Sequence, residues 1–108
     1  MKLLQVNYRR ERGQDDAEQG EHLLDAAERI AGLPGLRWKI WIYDDARAGA
    51  GDIYLFDTEA HARAWGDEML PASLGRLPGV SDIEARYFDV DERLSEITRA
   101  PVVAAQTA

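Results

Sequence analysis

Few side chains in this 108-residue sequence are reactive near neutral pH. There is no cysteine, and the two histidines are His22 and His61. Without thiols, disulfides, thiolate nucleophiles and cysteine-bound clusters are excluded, and two histidines leave little for a metal, so none is expected. Ser73, Ser81 and Ser95 stand outside any nucleophile context, and the phosphate-cradling, dinucleotide and zinc-protease patterns are missing. What remains is aromatic. His61, Trp65 and Met69 recur every four residues, as on one helix stripe, while Tyr8, Trp38 and Tyr87 fall in strand-like runs. Together they can line a space between a sheet and a helix, which suits a flat, apolar, hydroxylated ring system. Taking a proton from a phenol or an enolisable ketone needs a base, donors for the anion and a dry cavity. His61 is the candidate base, with Asn7, Trp38 and Trp65 as donors or stacking surfaces, Tyr8, Met69 and Tyr87 as further substrate contacts, and no cofactor. By strand parity Asn7 opposes Leu4 and Val6, which turns it toward the other side.

Each of these residues also has a plainer role. Trp65 at core spacing is accounted for by packing, and His22 by a solvated helix face. Lys39, Glu84 and Arg86 suit an inter-chain salt bridge, and Trp41 and Tyr54 suit interface anchors. Asp44 and Asp45 read as a solvated turn.

The elements that would position these groups follow from periodicity. Leu3 to Tyr8 alternates as a first strand. Asp15 with Glu18 makes an acidic capping box for a helix whose apolar face is Ala17, Gly20, Leu23, Leu24, Ala27, Ile30 and Ala31, ended by Gly32, Pro34 and Gly35. The central stretch from Leu36 to Phe56 reads as two strands around the turn DDARAGAG, with Trp38, Ile40 and Ile42 on one face of the first strand and Lys39, Trp41 and Tyr43 on the other. Asp57 or Thr58 caps a second helix, which Gly66 weakens and Pro71 kinks or ends, leaving 72–77 as a separate short turn. Ile83 to Val90 is the last strand. Asp91 caps a helical turn presenting Leu94 and Ile97, and beyond Val103 the chain reads as loose.

Strand, helix, strand, strand, helix, strand is the split βαβ plan, so the fold class is α+β: ferredoxin-like βαββαβ with a four-stranded antiparallel sheet. Residues 1–108 form one domain, whose tail, 91–108, docks on the body or on a partner subunit. Two helices cover one sheet face. The other is expected to carry Leu3, Trp41, Tyr43, Tyr54, Phe56 and Phe88, a patch larger than monomers tolerate, which a two-fold homodimer would cover. Composition sets the outer bounds. At 45% hydrophobic and 31% charged residues the chain is ordinary globular material without a membrane span. A net charge of −7 argues against nucleic acid. The MKLLQVNY start shows no secretory pattern, so a cytoplasmic location is expected.

Three segments then carry a resemblance. GLRWKIW at 35–41, GDIYLF at 51–56 and FDVDERLS at 88–95 resemble the YdhR-type mono-oxygenase family of dimeric α/β-barrel proteins, over about Leu3 to Pro101. That resemblance implies a homodimer with sheets packed together, related to cofactor-independent oxygenases of phenolic polyketides. On that footing the substrate is an aromatic or polyketide-like small molecule whose anion reduces molecular oxygen. Two other readings stand beside it: a cofactor-free cyclase or isomerase of similar substrates, and a non-catalytic small-molecule-binding dimer.

Overall fold

Alternation along β1 (Lys2–Arg10) sends Leu4 and Val6 to one side, where both are fully buried. The structure of the chain, a computed structural model, describes residues 1–13 and 15–102; the expected loose end beyond Val103 lies outside them. β1 pairs antiparallel with both β3 (Gly49–Phe56) and β4 (Val80–Asp89), and β3 pairs with β2 (Leu36–Asp44). The sheet order is β2-β3-β1-β4. One face is covered by α1 (Ala17–Ala31) and by a second helical stretch made of α2 (Glu59–Arg63), a wide π turn (Ala64–Met69) and α3 (Leu70–Leu74). A short α4 (Glu92–Ile97) follows the sheet. This is the α+β ferredoxin-like fold.

Register decides which side chains meet the helices. Leu4 lies opposite Tyr54 and Val6 opposite Asp52, while on the other flank Lys39 lies opposite Tyr54 and Trp41 opposite Asp52. Directly opposed residues share a face, so Lys39, Trp41, Tyr43, Tyr54 and Phe56 all lie under the helices. This corrects the expectation that placed them on the uncovered side. Trp38, expected among the helix-facing residues, pairs with Leu55 and belongs to the uncovered face with Leu3 and Phe88. The cause is physical. Both faces of β2 are apolar, so alternation defines two sets without saying which one points inward. A bulge at Arg37, between the pairs Leu36–Phe56 and Trp38–Leu55, then turns Leu36 toward the helices and Trp38 away.

The uncovered face is partly closed by the chain's own end. The Trp38 indole N–H donates to the Pro101 carbonyl at 2.9 Å, Val102 is buried, and Leu55 is fully buried. Further along β2 and on β4, Ile40, Ile42 and Phe88 remain 49%, 37% and 37% exposed. Asp91 caps α4 by accepting from the Leu94 N–H at 2.9 Å.

Helix starts follow their caps. α1 begins at Asp16, one residue beyond the expected Asp15, with its carboxylate accepting from the Gln19 N–H at 3.0 Å. The helix is turned relative to its apolar pattern: Gln19 and Ile30 are buried and Leu24 is 69% exposed. Gln19 is drawn inward by two hydrogen bonds, accepting from Arg10 Nε at 2.9 Å and donating to the Pro78 carbonyl at 2.8 Å.

Pro71 does not end the second helical stretch. It sits in the first turn of α3, and the π turn before it loosens the backbone where its missing N–H would break an α-helical ladder. Gly66, within that turn, is required by close packing: a Cβ there would stand 2.3 Å from the Tyr87 hydroxyl and 2.9 Å from a Leu4 methyl.

Candidate functional site

Because α1 and the second helical stretch do not meet over the sheet, a cavity of about 870 Å³ opens between them. Its sheet side is built by Tyr8, Lys39, Trp41, Asp52 and Tyr54, and Trp65 closes it from the π turn. The rim is polar, with His22, Asp25, Glu28 and Arg29 from α1 facing Ser73 and Arg76. Volume and lining fit a drug-sized aromatic molecule.

Beneath the cavity lies an ion pair. Lys39 Nζ stands 3.1 Å from Asp52 Oδ1, with side chains 6% and 3% exposed. The ammonium also lies 3.2 Å from the centre of the Trp41 ring and 4.7 Å from that of Tyr54. Burial lowers the Lys39 pKa to about 8 although Asp52 pulls the other way. Burial likewise raises the Asp52 carboxyl above its ordinary value, against the opposing pull of Lys39 and Arg10. The two shifts run in opposite senses, the ammonium down and the carboxyl up, which narrows the gap that a proton passing between them must cross. The phenols of Tyr8 and Tyr54 are pushed upward by burial and by Asp52, so they remain neutral donors. The Trp65 N–H approaches the Tyr54 hydroxyl without a well-aligned hydrogen bond, and both atoms are buried.

The Lys39 shift has a measurable consequence. The folded chain releases this proton at about 8 and the unfolded chain at 10.5, so between those values the unfolded state holds more protons. The contribution of this site to stability therefore rises with pH across that interval. Observing Lys39 Nζ by NMR should show a midpoint near 8; a midpoint at the ordinary lysine value would show that the ammonium is not desolvated.

Of the residues singled out from sequence, Tyr8 and Trp65 line the cavity. Trp38 and Asn7 lie on the opposite sheet face, Asn7 exposed and paired with Gly51. Met69 is 55% exposed. Tyr87 sits under the π turn, donating to Asp67 Oδ1 at 2.6 Å with the Arg63 guanidinium over its ring. His61 lies at the start of α2, outside the cavity lining, with Nδ1 2.7 Å from Asp57 Oδ1. That contact holds the Asp57 carboxyl below the usual carboxylate range. Thr58 caps α2 by accepting from the His61 N–H at 3.2 Å.

Lys39, Trp41 and Tyr54 were expected at an interface and Asp52 was not singled out, although a signal for Lys39 and Asp52 was present. A Lys and an Asp inside strands that are otherwise apolar are buried only if paired, which singles them out as a couple. Among the described residues no group of three His, Asp or Glu could hold a metal, and no helix is long and apolar enough to cross a membrane.

Residues 3–101 match the family described as "Putative mono-oxygenase ydhR". The chain belongs to the YdhR family. Nothing among curated protein sequences matches this YdhR-family chain. Solved structures share its fold. SnoaB, a cofactor-independent oxygenase from Streptomyces nogalater, aligns over 83% of this chain and 93% of its own with a TM-score of 0.59 and 18% identity. An antibiotic biosynthesis monooxygenase from Deinococcus radiodurans, so described provisionally, gives 83%, 92%, 0.58 and 14%. A dimeric ferredoxin-like protein of unknown function from Thermobifida fusca YX gives 83%, 92%, 0.57 and 21%. At these identities the likeness concerns the fold, and the YdhR assignment rests on the family match.

Proposed function

We propose that this YdhR-family chain is a cofactor-independent mono-oxygenase that acts as a homodimer on a flat, enolisable aromatic or polyketide-like molecule. The observation that carries the reading is the buried Lys39–Asp52 pair beneath an aromatic-walled cavity, in a chain of this family. SnoaB, on the same fold, is described as cofactor-independent, which supports the same chemistry here.

In this reading Asp52 accepts a proton from an activated methylene or phenol. The Lys39 ammonium and the Tyr54 and Trp65 donors stabilise the resulting anion. The anion passes an electron to molecular oxygen, and recombination forms a carbon–oxygen bond to a hydroperoxide. Loss of water from the hydroperoxide converts CH2 and O2 into C=O and H2O, with the proton first taken by Asp52 returned to the departing oxygen. The homodimer is supported by Ile40, Ile42 and Phe88 on the uncovered face and by the dimeric state of the Thermobifida fusca protein. Sedimentation at micromolar concentration should show two chains.

The test is oxygen uptake by flavin-free, metal-free protein offered hydroxylated anthrones and naphthols. Uptake matched to a product heavier by one oxygen and lighter by two hydrogens is expected. A product of unchanged mass formed without oxygen would instead make the chain a cyclase or isomerase using the same proton-transfer pair. His61, engaged by Asp57 outside the cavity, is not assigned as the base. His61→Ala should keep turnover within about twofold, whereas losing a general base costs about a hundredfold or more.

A further inference from the structure

Among the described residues, four buried side-chain polar atoms lack a hydrogen-bond partner: an Arg10 Nη, Asp52 Oδ1, the Tyr54 hydroxyl and the Trp65 indole nitrogen. Asp52, Tyr54 and Trp65 line the cavity, and Arg10 lies on the same sheet face two residues beyond Tyr8, which also lines it. Buried polar groups are almost always satisfied, so three orphans lining one cavity and a fourth beside it on the same sheet face call for an explanation.

Their balance is uneven. Three can donate, the Tyr54 hydroxyl among them able to accept as well, the Lys39 ammonium adds a further donor, and Asp52 Oδ1, the one of the four that can only accept, is already in contact with that ammonium. Charge is uneven in the same sense. Arg10 is 5% exposed, and its guanidinium lies 5.1 Å from the Tyr43 ring centre with Nε on the neutral amide of Gln19. Arg10 and Lys39 therefore set two buried cations against the single carboxylate of Asp52, which feels both. The rim does not restore the balance, because Asp25 and Glu28 are matched by Arg29 and Arg76. An uncompensated buried cation is costly, and an anion brought by the ligand removes that cost. The excess is local, in a chain whose net charge of −7 would otherwise repel anions.

Resting on the reading of the cavity as the substrate site, we infer that it selects a ligand bearing an anionic oxygen, a carboxylate or an ionised phenol on the flat ring system, and that Arg10 is the specificity-determining cation. Neutral polycycles of the same shape fill the space but leave the positive excess unanswered.

The experiment reads binding alone, by quenching of tryptophan fluorescence, with anthracene-2-carboxylate, its methyl ester, and a hydroxyanthraquinone titrated through its phenol ionisation. The acid should bind about ten- to a hundredfold more tightly than the ester, the range expected for one hydrogen-bonded charge. Arg10→Met should bring the acid-to-ester ratio close to one while ester affinity holds, and Arg10→Lys should restore much of the ratio. If the hydroxyanthraquinone tightens on ionisation and the carboxylate does not, the anion is a phenolate; the reverse makes it a carboxylate. Equal affinity of acid and ester for the unaltered chain, together with no tightening of the hydroxyanthraquinone on ionisation, overturns the inference, even if Arg10→Met does not fold. So does a ratio that persists in a folded Arg10→Met. No turnover is measured, so an oxygenase can fail this test and a chain that consumes no oxygen can pass it.

Discussion

Lys39→Met is expected to destabilise the chain by about 3–5 kcal/mol, the usual cost of stripping a buried ion of its partner. Domains of this size have about 5–15 kcal/mol in total, so the urea midpoint should fall steeply. Asp52→Leu should cost a similar amount, since it leaves Lys39, whose side chain is 6% exposed, and Arg10, 5% exposed, without a counter-charge. The double variant Lys39→Met, Asp52→Leu should recover most of the loss, because apolar groups of similar volume replace a buried ion pair at little net cost. Stability and turnover should then part company. If the pair moves a proton, all three variants lose about a hundredfold or more in turnover, including the one that is stable again. A double variant that regains both folding and oxygen uptake would make the pair purely architectural.

The second large effect concerns the π turn. Gly66→Ala places a methyl 2.3 Å from the Tyr87 hydroxyl and 2.9 Å from Leu4, beneath a stretch already fixed by Pro71. The expected cost is about 1–3 kcal/mol, the range for overpacking a filled site. Alanine's better helix propensity offsets it by up to about 1 kcal/mol. Tyr87→Phe removes the obstructing oxygen at the expense of its hydrogen bond to Asp67, worth about 0.5–1.5 kcal/mol. Combined, the two substitutions should cost less than the sum of the singles by about 1 kcal/mol or more, the range for contacting pairs. Additive costs in urea unfolding would mean that the turn yields elsewhere.

Much of the fold was legible because each element carries its own local signal. Thr58 and Asp91 cap helices as read, Asp15 falls one residue short of the true cap Asp16, Leu4 and Val6 alternate in β1, and the order of elements admits few sheets. What local signals could not supply was direction. Trp38 and Trp41 are equally apolar and one strand step apart in parity, and their sides are decided by the Arg37 bulge, which no periodicity announces. Gln19 lies off the apolar face read for α1, and its bonds to Arg10 and to Pro78 draw it inside. The Lys39–Asp52 pair escapes the sequence for a related reason. Histidine, whose solution pKa already suits proton transfer, is visible in the sequence, whereas the Lys39 ammonium is lowered and the Asp52 carboxyl raised only by burial, a property of the assembled core.

Strand β2 answers to two masters in turn. Positions 39, 41 and 43 look onto the cavity side, and 38, 40 and 42 onto the uncovered side. Descendants of this chain can therefore drift at the even positions to follow whatever neighbour they keep while the odd ones stay tied to the hollow under the helices. Point changes let ancestry adjust one relationship without touching the other, whereas gaining or losing a single codon within the strand would trade the two sets and forfeit both.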